Sequence, residues 1–169
     1  MGVAGVGKTT VAQLLAQQLS VPFAEADEFH SQANIKKMSA GIPLQDGDRW
    51  PWLERIAQWI AARAQEGDGG VVSCSALKRS YRDILRKGYA EAFFLHLIGD
   101  RTVIGERMSH RKGHFMPISL LDTQFEILEP LQTDETGGAI DVGPNPHELV
   151  KEALTLLAAA GSQPPTPRS

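Results

Sequence analysis

Residues 1–10 read MGVAGVGKTT, and Gly2, Gly7, Lys8 and Thr9 satisfy the spacing G-x-x-x-x-G-K-[ST]. A loop of this composition turns its backbone N–H groups toward one point and cradles phosphate oxygens there. Lys8 is placed to reach the β- and γ-phosphates, and the Thr9 hydroxyl to ligate Mg²⁺. A four-position pattern can arise by chance. Here it runs straight into KTTVAQLLAQQLS, which sets Val11, Leu14, Leu15 and Leu19 on one helical face. A helix at that position adds its own unpaired N–H groups and partial positive charge to the anion site. The stretch therefore predicts a nucleoside triphosphate site made of Gly2, Gly5, Val6, Gly7, Lys8, Thr9 and Thr10.

Downstream, short apolar runs alternate with helical patterns. VPFAEAD, GGVVSCSAL, AFFLHLIGD and GAIDVG read as strands, with helices between them and a closing helix in HELVKEALTLLAAAG. Continuous apolar strands separated by helices predict an α/β fold with a parallel sheet covered on both faces. Ligands in such folds sit at the carboxyl ends of the strands. Asp27, Ser75, Lys78 and Asp100 all follow strand ends in this reading. The tail SQPPTPRS is polar and proline-rich and reads as disordered.

The chain has 169 residues, enough for one domain with a real core. A net charge of −3 provides no global basic field, so any anion site must be local and nucleic acid is not the expected partner. The single cysteine, Cys74, cannot form an internal disulfide, which suits a reducing cytosol. No apolar run of about 18 residues and no signal-peptide pattern occur. These features together predict a cytoplasmic protein with no membrane anchor.

Residues 27–53, DEFHSQANIKKMSAGIPLQDGDRWPWL, are too polar for a core element, and Gly41, Pro43 and Gly47 break them into turns. CSALKRSYRDILR follows a strand end, and RMSHRKGHFMP places basic residues beside a glycine between two helices. The last of these suggests a lid that closes on phosphates. No N-K-x-D motif accompanies the phosphate loop, which argues against a GTPase switch. DETG at 134–137 lies too late in the chain to serve as its D-x-x-G, and reads as chance.

With these stretches in order, the chain resembles the gluconate kinase family, the small P-loop kinases related to shikimate and adenylate kinases. The resemblance rests on the N-terminal loop together with three further motifs. These are D-x-x-H-x-x-x-N-I-x-K-M-x-x-G-x-P-L-x-D-x-D-R-x-P-W-L, C-S-A-L-K-x-x-Y-R-D-x-L-R and R-K-G-H-F-M, and the likeness runs from Gly2 to about Pro146. It implies a three-layer P-loop fold with a sheet of about five strands and a lid near 107–118. The kinase domain would span 1–160 and the tail 161–169, with 27–53 as the acceptor-binding segment. The implied reaction is ATP- and Mg²⁺-dependent phosphorylation of D-gluconate at its 6-hydroxyl. Relatives imply a homodimer.

Phosphoryl transfer asks mainly for positioning and charge neutralisation, with one group to orient the attacking hydroxyl. Asp27, at a strand end facing the loop, is the choice for that role, and it could also hold Mg²⁺ through water. The plainer alternative is that it caps the following helix. Glu25 is left out of the site. The gluconate carboxylate calls for cations, and Arg49, Lys78 and Arg82 are the candidates, against a reading as solvated surface charges. His30 could bond substrate hydroxyls or simply pack within its loop. Arg107 and Arg111, four residues apart, suit the lid, one stacking on adenine and the other clamping phosphates. Lys8, Asp27 and Arg111 form the expected catalytic set. The rival readings are a kinase for another small acid such as shikimate, or a silent nucleotide binder.

The strand that should precede the loop is not visible, since only Met1 stands before Gly2. Leaving a central strand position empty would orphan buried backbone groups at about 1–3 kcal/mol each. Roughly six to ten further residues rich in Val, Ile and Leu are expected upstream of Met1 in the natural protein.

Overall fold

The computed structural model describes residues 1–109 and 118–161. Helix α1 (Lys8–Leu19) starts after Gly7, whose φ of 95° ends the loop in the left-handed region. No side chain caps its first turn, so the leading N–H groups stay open to a ligand. Strand β1 (Phe23–Glu25) passes into a 3₁₀ turn over Ala26–Phe29. Helices α2 (Gln32–Ser39) and α3 (Asp46–Glu66) follow. Then come β2 (Val71–Ser73), α4 (Arg79–Arg86), β3 (Phe94–Ile98) and α5 (Arg101–Ser109). Helix α6 (Ile118–Ile127), β4 (Gly137–Asp141) and α7 (Pro146–Ala159) complete the order.

The α/β alternation and the parallel pairing expected from the sequence are present. The segment 27–53 differs from its expectation, because it is largely helical rather than a string of turns. Its caps explain why. The Ser31 side chain accepts from Asn34 N at 3.1 Å to start α2, and Gln45 N donates to Asp48 Oδ2 at 3.1 Å to start α3. Helix α3 even carries Pro51 in its second turn. Its face of Trp52, Leu53 and Ile56 is buried against Cys74, Tyr81 and Leu85.

The four described strands are parallel, as expected of a sheet of about five whose strand before the loop is not visible in the sequence. Among the described residues the strands form two parallel ladders, β1 with β2 and β3 with β4. Met1 and Gly2 bridge them. Met1 N donates to Leu95 O, Leu97 N donates to Met1 O at 3.0 Å, and Gly2 N donates to Ser75 O at 3.1 Å. Beyond that bridge a cleft of about 790 Å³ runs between the ladders, lined by Val71 and Val72 on one side and Phe94 and Leu95 on the other.

Two apolar clusters hold the layers together. One joins α1, β3, β4 and α7 through Val11, Leu15, Leu97, Ile140 and Leu149. The other joins α3 to α4 and the end of β2 through Trp52, Ile56, Cys74 and Tyr81. The phosphate loop lies on the first cluster, where Val3 and Val6 are buried beneath it. Residues 27–53, expected to bind the acceptor, lie on the second.

Candidate active site

A cavity of about 180 Å³ opens at the N-terminus of α1. Ala4, Gly5, Gly7, Lys8, Thr9 and Thr10 form one wall, and Glu25 and Asp27 at the end of β1 form another. Ser73, Cys74 and Ser75 close the floor, and Met108 and Gln124 reach in from α5 and α6. The loop and Asp27 thus share one small space, as the sequence reading requires. Gly2 and Val6 contribute to the loop from beneath. Val6 is 1% exposed, and its side chain belongs to the core. Gly5 has a second reason to lack a side chain, since a Cβ there would lie 2.4 Å from Met108 Cγ.

Lys8 Nζ donates to Val3 O at 2.8 Å, which folds its side chain back over the loop. Gln124 Oε1 accepts from Ala4 N at 2.6 Å, which ties the loop to α6. Thr9 Oγ1 donates to Glu25 Oε2 at 2.8 Å. Glu25 therefore faces the loop, and its exclusion on sequence grounds is corrected. Read as one extended run, VPFAEAD would turn Glu25 and Asp27 the same way, and that parity was the available signal. Among the described residues no group of three His, Cys, Asp or Glu forms a metal cage. Thr9, Glu25 and Asp27 nevertheless offer hard oxygen atoms beside the phosphate wall. That donor set suits Mg²⁺ held partly by substrate phosphates.

Beyond Asp27 a chain of contacts leads away from the phosphate wall. His30 stacks on Trp52 with ring centroids 4.5 Å apart, and Trp52 Nε1 donates to Ala26 O at 2.7 Å. Burial pulls the His30 imidazole below its ordinary value, the nearby Asp27 carboxylate opposes that shift and the Arg49 charge adds to it. At neutral pH the ring is uncharged and can both donate and accept. Arg49 lies over the Tyr81 ring at 5.8 Å, and Lys78 Nζ over the same ring at 5.4 Å. Lys78 Nζ reaches both oxygens of Asp46, at 3.1 and 3.0 Å, and Tyr81 Oη donates to Asp46 Oδ1 at 2.5 Å. The Tyr81 bond, with Lys78 behind it, holds the Asp46 carboxyl below the usual carboxylate range. Sequence reading missed Asp46 and Tyr81. The signal lay in D-x-D-R and K-x-x-Y, whose members meet only once α3 and α4 are packed.

Arg82 is the clearest departure. It was a candidate for the carboxylate, yet it is 0% exposed and points into the protein. Its Nε and Nη2 donate to Glu135 at 2.6 and 2.9 Å, and Nη1 donates to the carbonyls of Ala76, Leu77 and Glu129. Every face of the guanidinium is used, so it is a strut between α4 and the 129–136 loop. Asp134 takes Arg79 through two bonds of 2.8 and 2.9 Å. The acidic pair in DETG thus anchors two arginines of α4. Arg107 donates to Val142 O at 3.0 Å, on the loop after β4 and away from the acceptor residues. Arg111 and most of the expected lid lie outside the described residues, as does the expected tail from residue 162.

Known proteins frame this arrangement. The sequence matches the shikimate kinase family over residues 4–132. It is 50% identical to the thermosensitive gluconokinase of Escherichia coli K12 over 135 residues, covering 80% of this chain and 72% of that one. It is 42% identical to the gluconokinase of Gluconobacter oxydans 621H, covering 94% and 89% of the two chains. Among solved structures, an unliganded sugar kinase from Janibacter sp. HTCC2649 superposes with a TM-score of 0.88 at 52% identity, over 94% of this chain and 91% of the other. A gluconokinase from Sinorhizobium meliloti 1021 gives 0.85 at 49% identity, over 94% and 89%. No described helix is long and apolar enough to cross a membrane.

Proposed function

The chain belongs to the gluconokinase family, and from that premise we propose that it transfers the γ-phosphoryl group of ATP to the 6-hydroxyl of D-gluconate, giving 6-phospho-D-gluconate. The observation that carries this reading is the shared cavity, in which the phosphate loop and Asp27 face one another across about 180 Å³. Transfer in line needs the attacking hydroxyl and the γ-phosphate in one water-poor space.

In this reading the open N–H groups at the start of α1 and the Lys8 ammonium bind the triphosphate. Lys8 leaves Val3 O for the phosphates as nucleotide arrives. Thr9, Glu25 and Asp27 would hold Mg²⁺, which would offset phosphate charge. Asp27 orients the 6-hydroxyl and takes its proton late in the transfer. His30, uncharged, lies along the path of the sugar chain, and Arg49 and Lys78 receive its polar end. Arg107 and Arg111 cover the nucleotide from the lid side.

An assay of ADP release, with gluconate and shikimate offered separately, tests the reading. ADP should appear with gluconate and not with shikimate. Turnover indifferent to gluconate overturns it, whether the chain then proves a shikimate kinase or a silent nucleotide binder.

A further inference from the structure

Three charged groups collect around the ring of Tyr81, and they are not equivalent. Lys78 is already committed to Asp46 through both carboxylate oxygens. Arg49 is not: among the described residues its hydrogen bond goes to the Leu44 carbonyl at 3.3 Å, and no carboxylate forms an ion pair with it. The neighbouring Asp48 differs again, because Lys37 Nζ at 2.6 Å and Gln45 N at 3.1 Å occupy its two oxygens. Both members of the Asp46–Lys78 pair stay accessible, at 44% and 28% side-chain exposure.

A second carboxylate brought to Lys78 would lie within a few ångströms of Asp46, and the like charges would repel. A hydroxyl meets no such penalty. It can donate to Asp46 and accept from Lys78 at once, which is what an acceptor and a donor held side by side offer to a polyol. Tyr81, 2% exposed and with Trp50 edge-on at 5.6 Å, fixes the direction of Asp46 Oδ1. The site is thereby built to point one oxygen, not to neutralise a charge.

Resting on the reading of gluconate as substrate, we infer that the two cations divide the work. Arg49 anchors the substrate carboxylate, and the Asp46–Lys78 pair reads hydroxyls of the polyol chain. Asp46 then decides which sugar acids are accepted.

The test compares wild type, Asp46→Asn and Arg49→Gln on D-gluconate and on its 2-deoxy and 3-deoxy analogues, which keep the carboxylate and the 6-hydroxyl. A hydrogen bond to a charged group accounts for about tenfold or more in affinity. Asp46→Asn should therefore raise the gluconate KM about tenfold, leave the ATP KM unchanged, and narrow the gap between gluconate and at least one deoxy acid. Arg49→Gln should raise the KM of all three acids alike. An Asp46→Asn gluconate KM within about twofold of wild type overturns the inference, as does an equal rise for all three acids. The ATP KM and a melting curve report folding. Should Asp46→Asn fail to fold, Tyr81→Phe, which frees Asp46 Oδ1 but keeps the ion pair, is read by the same ratio. Wild type that ignores gluconate overturns the underlying activity, whereas turnover with unaltered selectivity in the variant overturns only the hydroxyl-reading role.

Discussion

The phosphate cavity and the cluster of side chains beyond Asp27 are made of different material. The phosphate wall is mainly backbone, with Gly5, Gly7 and the open first turn of α1 supplying N–H groups from within residues 2–10. The cluster expected to take the acceptor is built from side-chain contacts that bring α3, α4 and the turn after β1 together, such as Lys78 with Asp46 across 32 positions and Trp52 with the Ala26 carbonyl across 26. A backbone site is a local event, and its residues must be contiguous. A side-chain site depends on packing, so its members can be far apart and their partners decide their roles.

That difference governs what could be read in advance. The loop, the helix behind it and the parallel α/β alternation were legible because each follows from spacing within a few residues. Asp27 was legible as a polar residue at a strand end. Arg82 was misread because the i to i+4 spacing with Lys78 says only that both could share a helix face. In the fold, Lys78 is the residue just before α4, in extended backbone, and Arg82 turns inward to Glu135. Nothing local in DETG announces that its acids hold two arginines from more than 50 positions upstream. The helices within 27–53 were hidden by glycines and prolines whose disruptive effect the caps at Ser31 and Gln45 offset. The sheet was legible in direction, and its gap was legible too, because the loop motif begins at residue 2 with no strand before it; Met1 and Gly2 make hydrogen bonds across the place where that strand is expected.

If the two walls meet at the reacting atoms, the strongest break in the comparison is Asp27→Asn. The change keeps shape and removes the proton acceptor. It should lower kcat by about 10²–10⁴ while the ATP KM stays close to wild type. A variant with wild-type kcat would place the chemistry wholly on the phosphate wall and take Asp27 out of it.

Arg82→Met separates packing from recognition on the acceptor side. Removing one partner of a buried pair strands the other charge, and the expected loss of stability is about 3–5 kcal/mol. The double variant Arg82→Met with Glu135→Leu should recover most of it, and the gluconate KM should stay near wild type where the protein is folded. The pair also predicts an acid limb. Arg82 holds the Glu135 carboxyl below its ordinary 4.5, so as pH falls the unfolded chain takes up this proton first. The contribution is complete above about pH 4.5 and fades below it, through the folded-state value. Urea melts at pH 3.5 and 6.5 should show this loss in wild type and a smaller one in the double variant. An equal pH response in both would assign the acid limb to other carboxylates.

Glu25→Gln should give the smallest effect, and it probes a place where the phosphate wall depends on a side chain from elsewhere. The amide can still accept from Thr9 Oγ1, so the 2.8 Å bond that orients the hydroxyl survives. What disappears is a negative charge beside the oxygen atoms suited to Mg²⁺, opposite a phosphate group of the same sign. Magnesium needed for half-maximal rate should rise about two- to fivefold, a cost near that of one exposed charge contact. The gluconate KM should hold, because Glu25 lines the phosphate cavity and Arg49 and Lys78 do not. A rise in the gluconate KM with unchanged magnesium dependence would move Glu25 to the acceptor side. The division into a backbone wall and a side-chain wall would then fail at the residue that joins them.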